Sequence, residues 1–395
     1  MDSSDWRRPD QRIGYGRQTI EAVDIEAVEA VLRGDWLTQG PNIDAFEAAI
    51  GESTKANHVV AVSNGTAALH LALLTLDVGA DDLVVTTANT FLASATAALM
   101  CNADVEFVDV DEYVGNLDTA ALARRLESGA PVAAVVAVYY AGQACDMARL
   151  LELKRRFGFR LVVDASHALG GTTKLDGRAY ELGELPGVDA VTLSFHPVKL
   201  ITTGEGGALL FENKAHAERA RKLREHGLQR GGEQLPFKDS TVSPPWFAYV
   251  EELGFNYRLS DMQAALGVSQ LTRLPEFIAA RRRIAGRYDV ELMGCRKPML
   301  TAGHAWHLYV VHVEAEKRDD LMKWLSDGGI GTQLHYYPVP LQPLFRDRSS
   351  ASIDPERDFA NAIEHAHTAI SLPIYPSLSD EDVGRVVAAF AEWSE

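Results

Sequence analysis

Seven short apolar runs lie between residues 58 and 211, at 58–62, 83–86, 105–108, 133–138, 161–164, 190–194 and 207–211. Helix-like stretches such as 66–76 and 150–157 separate several of them. A run that is apolar without alternation is a strand buried on both faces, and such a strand needs helices above and below its sheet. The pattern predicts an α/β fold on a mostly parallel seven-stranded sheet. Ahead of it, Ile25, Val28 and Leu32 recur at helical spacing within 19–33, with Gly34 as a stop. The Gly40-Pro41 pair marks 37–41 as a loop, and the polar residues 1–15 read as a mobile arm.

Beyond the last run, 212–230 reads as helix, 231–250 as a polar, Pro-containing loop and 260–287 as helix. The pattern then changes to a strand near 306–313 and helices near 318–328 and 358–370. This divides the chain into an arm plus a large domain at 1–255 and a smaller α+β domain at 256–395.

The formal net charge of −17 opposes nonspecific nucleic-acid binding and a polybasic membrane patch, so neither partner is expected. Cys101, Cys145 and Cys295 are odd in number and fit no zinc framework, so no metal site and no disulfide scaffold are expected. No stretch approaches the ~20 apolar residues that span a bilayer. A cytoplasmic location is the expectation.

Three segments carry chemistry. In 194–207, SFHPVKLITTGEGG, Lys199 follows an apolar strand in a loop of small and polar residues. In 161–170, LVVDASHALG, Asp164 ends a strand at the carboxyl edge of the sheet, where ligands of open α/β sheets bind. In 63–73, SNGTAALHLAL, a strand runs into Gly65-Thr66 and an Ala/Leu-rich helix, whose free N–H groups suit a phosphate. Each alone has an ordinary reading: a solvated lysine, a helix-capping carboxylate, a capped helix with no ligand. Together they supply an amine for a Schiff base, an anion for a pyridine nitrogen and a phosphate cradle, which are the needs of pyridoxal 5′-phosphate (PLP). A carboxylate in contact with a pyridinium favours it by about 4 kcal/mol at an effective dielectric of about 20.

With LTQGP, SNGTAALH, TFLASA, VDASHALG, SFHPVK…TTGEGG, GFNYRLSDMQAALG and QLHYYP in that order, the chain resembles the DegT-type nucleotide-sugar aminotransferases from about Tyr15 onward. YGRQ, LTQGP, SHALG and SFHPVK look most like the pseudaminic-acid branch. The resemblance implies PLP fold-type I (aspartate-aminotransferase-like) and a homodimer with shared active sites. It implies transfer of an amino group from L-glutamate to C4 of a UDP-linked 2-acetamido-2,6-dideoxy-4-keto hexose. By the same resemblance Lys199 is the Schiff-base lysine, Asp164 the pyridine-nitrogen partner, and His167 a neighbour of the ring hydroxyl. Gly65, Thr66 and Ser194 would hold the phosphate, and Phe91 would stack on the ring. Asn256 would reach the neighbouring protomer's cofactor. Tyr15, Leu37, Thr38, Gln39, Gly40, Arg258, Gln333, Leu334, His335 and Tyr336 would line the substrate site. His196 is read as structural.

Leu200 departs from the branch, which often has Pro there. A dTDP- or GDP-linked acceptor is the near alternative, because the base is not written in these residues. A dehydratase of the same fold carries His in place of the lysine. A PLP-binding regulator would carry a helix-turn-helix extension and a basic patch, and neither is present.

Overall fold

The computed structural model describes residues 6–129, 131–230, 248–299, 301–347 and 354–394. The apolar runs form β1 (His58–Val62), β2 (Leu83–Thr87), β3 (Asp104–Val108), β4 (Ala134–Val138), β5 (Arg160–Asp164), β6 (Ala190–Ser194) and β7 (Gly207–Phe211). They make one sheet in the order β1-β7-β6-β5-β4-β2-β3. Pairs from β3 through β6 are parallel, and β7 runs antiparallel to both β6 and β1. This is the mostly parallel seven-stranded sheet expected.

Alternate residues explain why the runs lack alternation. Val135 and Ala137 of β4, and Leu161 and Val163 of β5, enter one core cluster; Ala134, Val136 and Val162 enter another. Both faces are therefore covered, and a polar residue on either would be buried without a partner.

β1, β2, β5 and β6 all end at the same sheet edge, because two antiparallel pairings through β7 restore the direction of β1. Four loops thus converge there. Helix α1 (Ala22–Leu32) and α2 (Pro41–Thr54) precede the sheet, α3 (Gly65–Thr75) follows β1, and α4 (Ala93–Met100) follows β2. Asn64 caps α3 by accepting from the Ala67 N–H at 2.8 Å.

The C-terminal part mixes helices and strands. Strands Tyr309–His312 and Ala369–Leu372 pair antiparallel, and a third core cluster gathers around them. Helices Ala315–Asp327 and Ala360–Thr368 stand near the expected places.

Four local readings change. Residues 6–15 are no mobile arm: Trp6 is buried in the third cluster with Ile13, its Nε1 donates to Glu392 at 2.6 Å, and Ile13 bridges to Ile330. The polar sequence around Trp6 hides this, since its partners lie more than 300 residues away. Helix Lys214–Arg224 stops before 230, and Leu228–Arg230 instead pairs with strand Ala248–Val250. The rest of the 231–250 loop lies outside the described residues. The stretch 260–287 is two helices, Asp261–Thr272 and Leu274–Glu291, because Pro275 at the start of the second has no N–H to continue the first.

Candidate active site

At the edge where the strand ends converge lies a cavity of 880 Å³. Asp164, the last residue of β5, is buried at its floor. Its two carboxylate oxygens are separately held: Ser94 Oγ donates to Oδ2 at 2.8 Å, and the Ser166 N–H donates to Oδ1 at 3.1 Å. Ser94 lies within hydrogen-bond distance of Thr90 Oγ1, one helical turn earlier, at 2.8 Å. A carboxylate held by two donors in a buried place stays aimed into the cavity.

Lys199 lines the same cavity. Its loop is pinned between β6 and β7: the Phe195 N–H donates to Gly206, and Thr202 Oγ1 and the Thr203 N–H both donate to the Phe195 carbonyl. Burial pushes the Lys199 amine down to about 8, with the Asp164 charge working against that fall. An amine in that range is partly neutral near neutral pH and can act as nucleophile and base.

The start of α3 forms a third wall. Gly65 sits so close to Ser194 that an added Cβ would stand 2.9 Å from the serine Cβ. Gly207 lies equally tight under the α3 start, 2.5 Å from the Asn64 carbonyl carbon by the same construction. The backbone therefore approaches the edge of β6 as only glycine allows, and Gly65, Thr66 and Ser194 face the cavity together.

The remaining wall comes from His167 and from 333–336. His167 Nε2 lies 3.3 Å from the Tyr336 hydroxyl, and its ring is 4.2 Å from that of His307. Burial, with Lys199 and His335 nearby, holds the His167 imidazole well below its ordinary range. The carbonyl of His335 accepts from Tyr140 Oη at 2.5 Å and pairs with His365 Nε2 at 2.8 Å. The Tyr336 N–H donates to Asn89 at 2.8 Å. Phe91 is more than half exposed, with its ring 6.2 Å from that of Tyr336. Tyr15, Gln333 and Leu334 complete this side.

The structure does not bring every expected residue to the cavity. Leu37, Thr38, Gln39, Gly40, Asn256 and Arg258 are not among its lining residues. They form a separate group: Thr38 bridges to Ser260, the Leu37 carbonyl accepts from the Asp261 N–H, and the Gly40 N–H donates to Asp261 at 2.7 Å. Gln39 Nε2 donates to Glu225, which also bridges to Asn256. Asn256 is exposed, and Arg258 makes no ion pair among the described residues. No group of three His, Cys, Asp or Glu side chains among the described residues is placed to hold a metal ion.

Residues 18–391 match the model of the DegT/DnrJ/EryC1/StrS aminotransferase family. The chain belongs to that family. Over 385 residues it is 34% identical to the spore coat polysaccharide biosynthesis protein SpsC of Bacillus subtilis (strain 168), covering 95% of each chain. Its fold superposes with a TM-score of 0.85 on Helicobacter pylori PseC, an aminotransferase involved in the biosynthesis of pseudoaminic acid, at 26% identity and over 97% of this chain and 99% of the other. It is equally similar to Spr1654 of Streptococcus pneumoniae in its PLP form, at 27% identity, a TM-score of 0.85 and coverage of 97% and 99%. The same neighbour is also solved in its PMP form. This chain is thus a sugar aminotransferase of PLP fold-type I, and PLP is its cofactor.

In this aminotransferase the sequence reading overlooked Thr90, Ser94 and His307. Thr90 and Ser94 were within sight, since they stand four apart around Phe91 at the start of a helix after a strand end. His307 had no such signal: it precedes a strand of the C-terminal part and reaches the cavity only through tertiary packing.

Proposed function

We propose that this enzyme transfers the amino group of L-glutamate to C4 of a UDP-linked 2-acetamido-2,6-dideoxy-4-keto hexose, working as a cytoplasmic homodimer. The observation that carries the reading is the joint presence of Lys199, the doubly held Asp164 and the glycine-lined α3 start in one cavity. The acceptor class is supported by the likeness to PseC.

The residues fit the cofactor. A helix start whose Gly65 leaves no room for a Cβ suits a phosphate, and the buried carboxylate suits a protonated pyridine nitrogen. His167 Nδ1 is buried without a partner beside them, as a group awaiting a ligand would be. Bound PLP supplies an electron sink that stabilises negative charge developing at the amino donor's α-carbon.

Each side chain then has a task. Asp164, oriented by Ser94 and Ser166, keeps a proton on the ring nitrogen. Gly65, Thr66 and Ser194 would bind the phosphate, Phe91 and His167 would orient the ring, and Lys199 would anchor the cofactor. In the first half of the cycle Lys199 Nζ would take the proton from the donor's α-carbon and hold it. In the second half of the cycle Lys199 moves the proton in the reverse sense, to C4 of the sugar. Tyr15, Gln333, Leu334, His335 and Tyr336 line the path for both substrates, so one site serves each in turn.

The cavity's own lining holds a single Lys or Arg, Lys199, beside Asp164 and Glu205. A sugar diphosphate needs more positive charge than that. In the proposed dimer, Asn256 of one protomer reaches the cavity of its partner, and Arg258 of the substrate site supplies the added positive charge.

The test is a panel. Enzyme converted to the amino form with L-glutamate is mixed with UDP-, dTDP- and GDP-linked 4-keto sugars, and return of the PLP absorbance is followed. Return with the UDP-sugar alone supports the reading. Return only with a dTDP- or GDP-sugar moves the assignment to that base and leaves the chemistry standing.

A further inference from the structure

His307 lies 3% exposed, and its ring is in contact with that of His167 at 4.2 Å and a 41° tilt. Its side chain makes no hydrogen bond to any described residue, and its Nδ1 is buried without a partner. An imidazole in such a place is costly unless its ring contact or a ligand compensates. The backbone beneath it is held firmly. Arg281 Nη1 donates to the carbonyls of Trp306, His307 and Ile374 at 3.2, 3.2 and 2.8 Å. The Trp306 N–H donates to His304 Nδ1 at 2.8 Å. A side chain with no polar bond of its own thus stands on a backbone clamped at two successive carbonyls. That combination fixes a ring surface rather than a proton donor.

We propose that His307 is a positioning residue for the transamination, holding the His167 ring in one orientation. The ring contact carries the effect. His167 has a polar tie at Nε2 alone, to the Tyr336 hydroxyl, and its other ring neighbours, Tyr140 and Tyr336, stand farther off at 6.4 Å, which leaves the ring freedom to tilt. His307 closes that freedom by occupying the neighbouring space and excluding water from it. Burial first, and then the charges facing the pair, oppose protonation of either ring: Lys199 and His335 act on both, and His167 and Arg281 act on His307. A neutral His167 offers one N–H and one acceptor in fixed places, and it does not compete with Lys199 for the Asp164 charge. The inference rests on the proposed role of His167 beside the cofactor ring.

The test reads imidazole 15N resonances of the cofactor-free protein against pH, PLP affinity by tryptophan fluorescence quenching, and steady-state rates. In the native protein His167 stays neutral with one fixed N–H between about pH 6 and 8. His307→Ala, melting as a folded protein, lets water in, so His167 titrates within that range. In the same variant kcat falls about tenfold, the scale of losing a partner that orients a functional side chain, while KM stays within about threefold. His307→Phe restores the ring contact and returns both readouts toward native. A His307→Ala protein with native His167 titration and kcat overturns the proposal, and so does a His307→Phe protein as impaired as the alanine variant. If His307→Ala does not fold, His307→Leu, closer in volume, is read in the same way. His167→Ala separates the two claims. Native PLP affinity and kcat in that variant defeat the role of His167 itself. An impaired His167→Ala beside a native-like His307→Ala defeats only the present inference.

Discussion

Ser94 Oγ donates a 2.8 Å hydrogen bond to Asp164 Oδ2, tying the first turn of α4 to the end of β5 across the cavity floor. Two elements distant in sequence are joined at the one carboxylate the cofactor ring requires. Ser94→Ala removes a buried donor to a charged acceptor, worth about 1.5–3 kcal/mol. PLP affinity by fluorescence quenching is expected to fall roughly tenfold or more, and the melting temperature of the cofactor-free protein is expected to fall as well, because the buried carboxylate loses a donor there too. Native affinity in Ser94→Ala would show that Asp164 is held without it.

The depressed Lys199 amine links stability to pH. Its folded value, pushed down to about 8, lies below the roughly 10.4 of an unfolded lysine, so between these the unfolded chain binds more protons. The buried charge therefore destabilises the cofactor-free fold fully below pH 8, and the penalty fades as pH rises toward 10.4. Lys199→Met is expected to raise cofactor-free stability by about 3 kcal/mol at pH 7 and by almost nothing near the upper limit. Denaturant melts at both pH values check this; an equal gain at both contradicts the buried-amine account.

Arg281 is buried with three backbone carbonyls and, among the described residues, no carboxylate. Burial pulls its guanidinium down to about 9. Arg281→Leu strands three acceptors at once and is expected to cost about 3 kcal/mol or more. Equilibrium unfolding measures it, with Arg281→Lys falling between. A neutral Arg281→Leu would mean that the carbonyls find other donors.

Gly207 lies where a Cβ would stand 2.5 Å from the Asn64 carbonyl carbon. Gly207→Ala should push the α3 start off the edge of β6. The expected outcome is a loss of PLP affinity larger than the loss of fold stability, read by quenching and by thermal melts on the same samples. A folded Gly207→Ala with native affinity contradicts the cradle.

The strands were legible because burial on both faces removes alternation, and a sheet that feeds its loops to one edge follows from parallel order. The three chemical segments were legible for the same reason: Asp164, Lys199 and Gly65 stand at strand ends. What stayed hidden depends on partners far along the chain. Trp6 sits in a polar stretch, yet its ring lies 5.4 Å from that of Trp324 and its carbonyl accepts from Arg385. His307 likewise becomes part of the cavity only when the Leu274–Glu291 helix brings Arg281 beneath it. Local pattern carries no record of such contacts.

The proposed dimer with shared sites has a direct consequence. A Lys199→Ala and an Asn256→Ala protein are each expected to be impaired alone. In a heterodimer of the two, both lesions fall in one site and the other site is intact. Random re-association of equal amounts should therefore restore about a quarter of native sites. No recovery, with heterodimers demonstrated by tag, would place Asn256 in its own protomer's site.

The central claim is that Lys199 holds PLP in this cavity and passes it through an amino-acceptor cycle. The direct measurement is the visible absorbance of the purified protein with PLP, before and after L-glutamate, for the native chain and for Lys199→Ala. The account predicts a visible band in the native protein that glutamate abolishes, and a Lys199→Ala protein without that band. A native band indifferent to glutamate, or a spectrum unchanged by loss of Lys199, would contradict it.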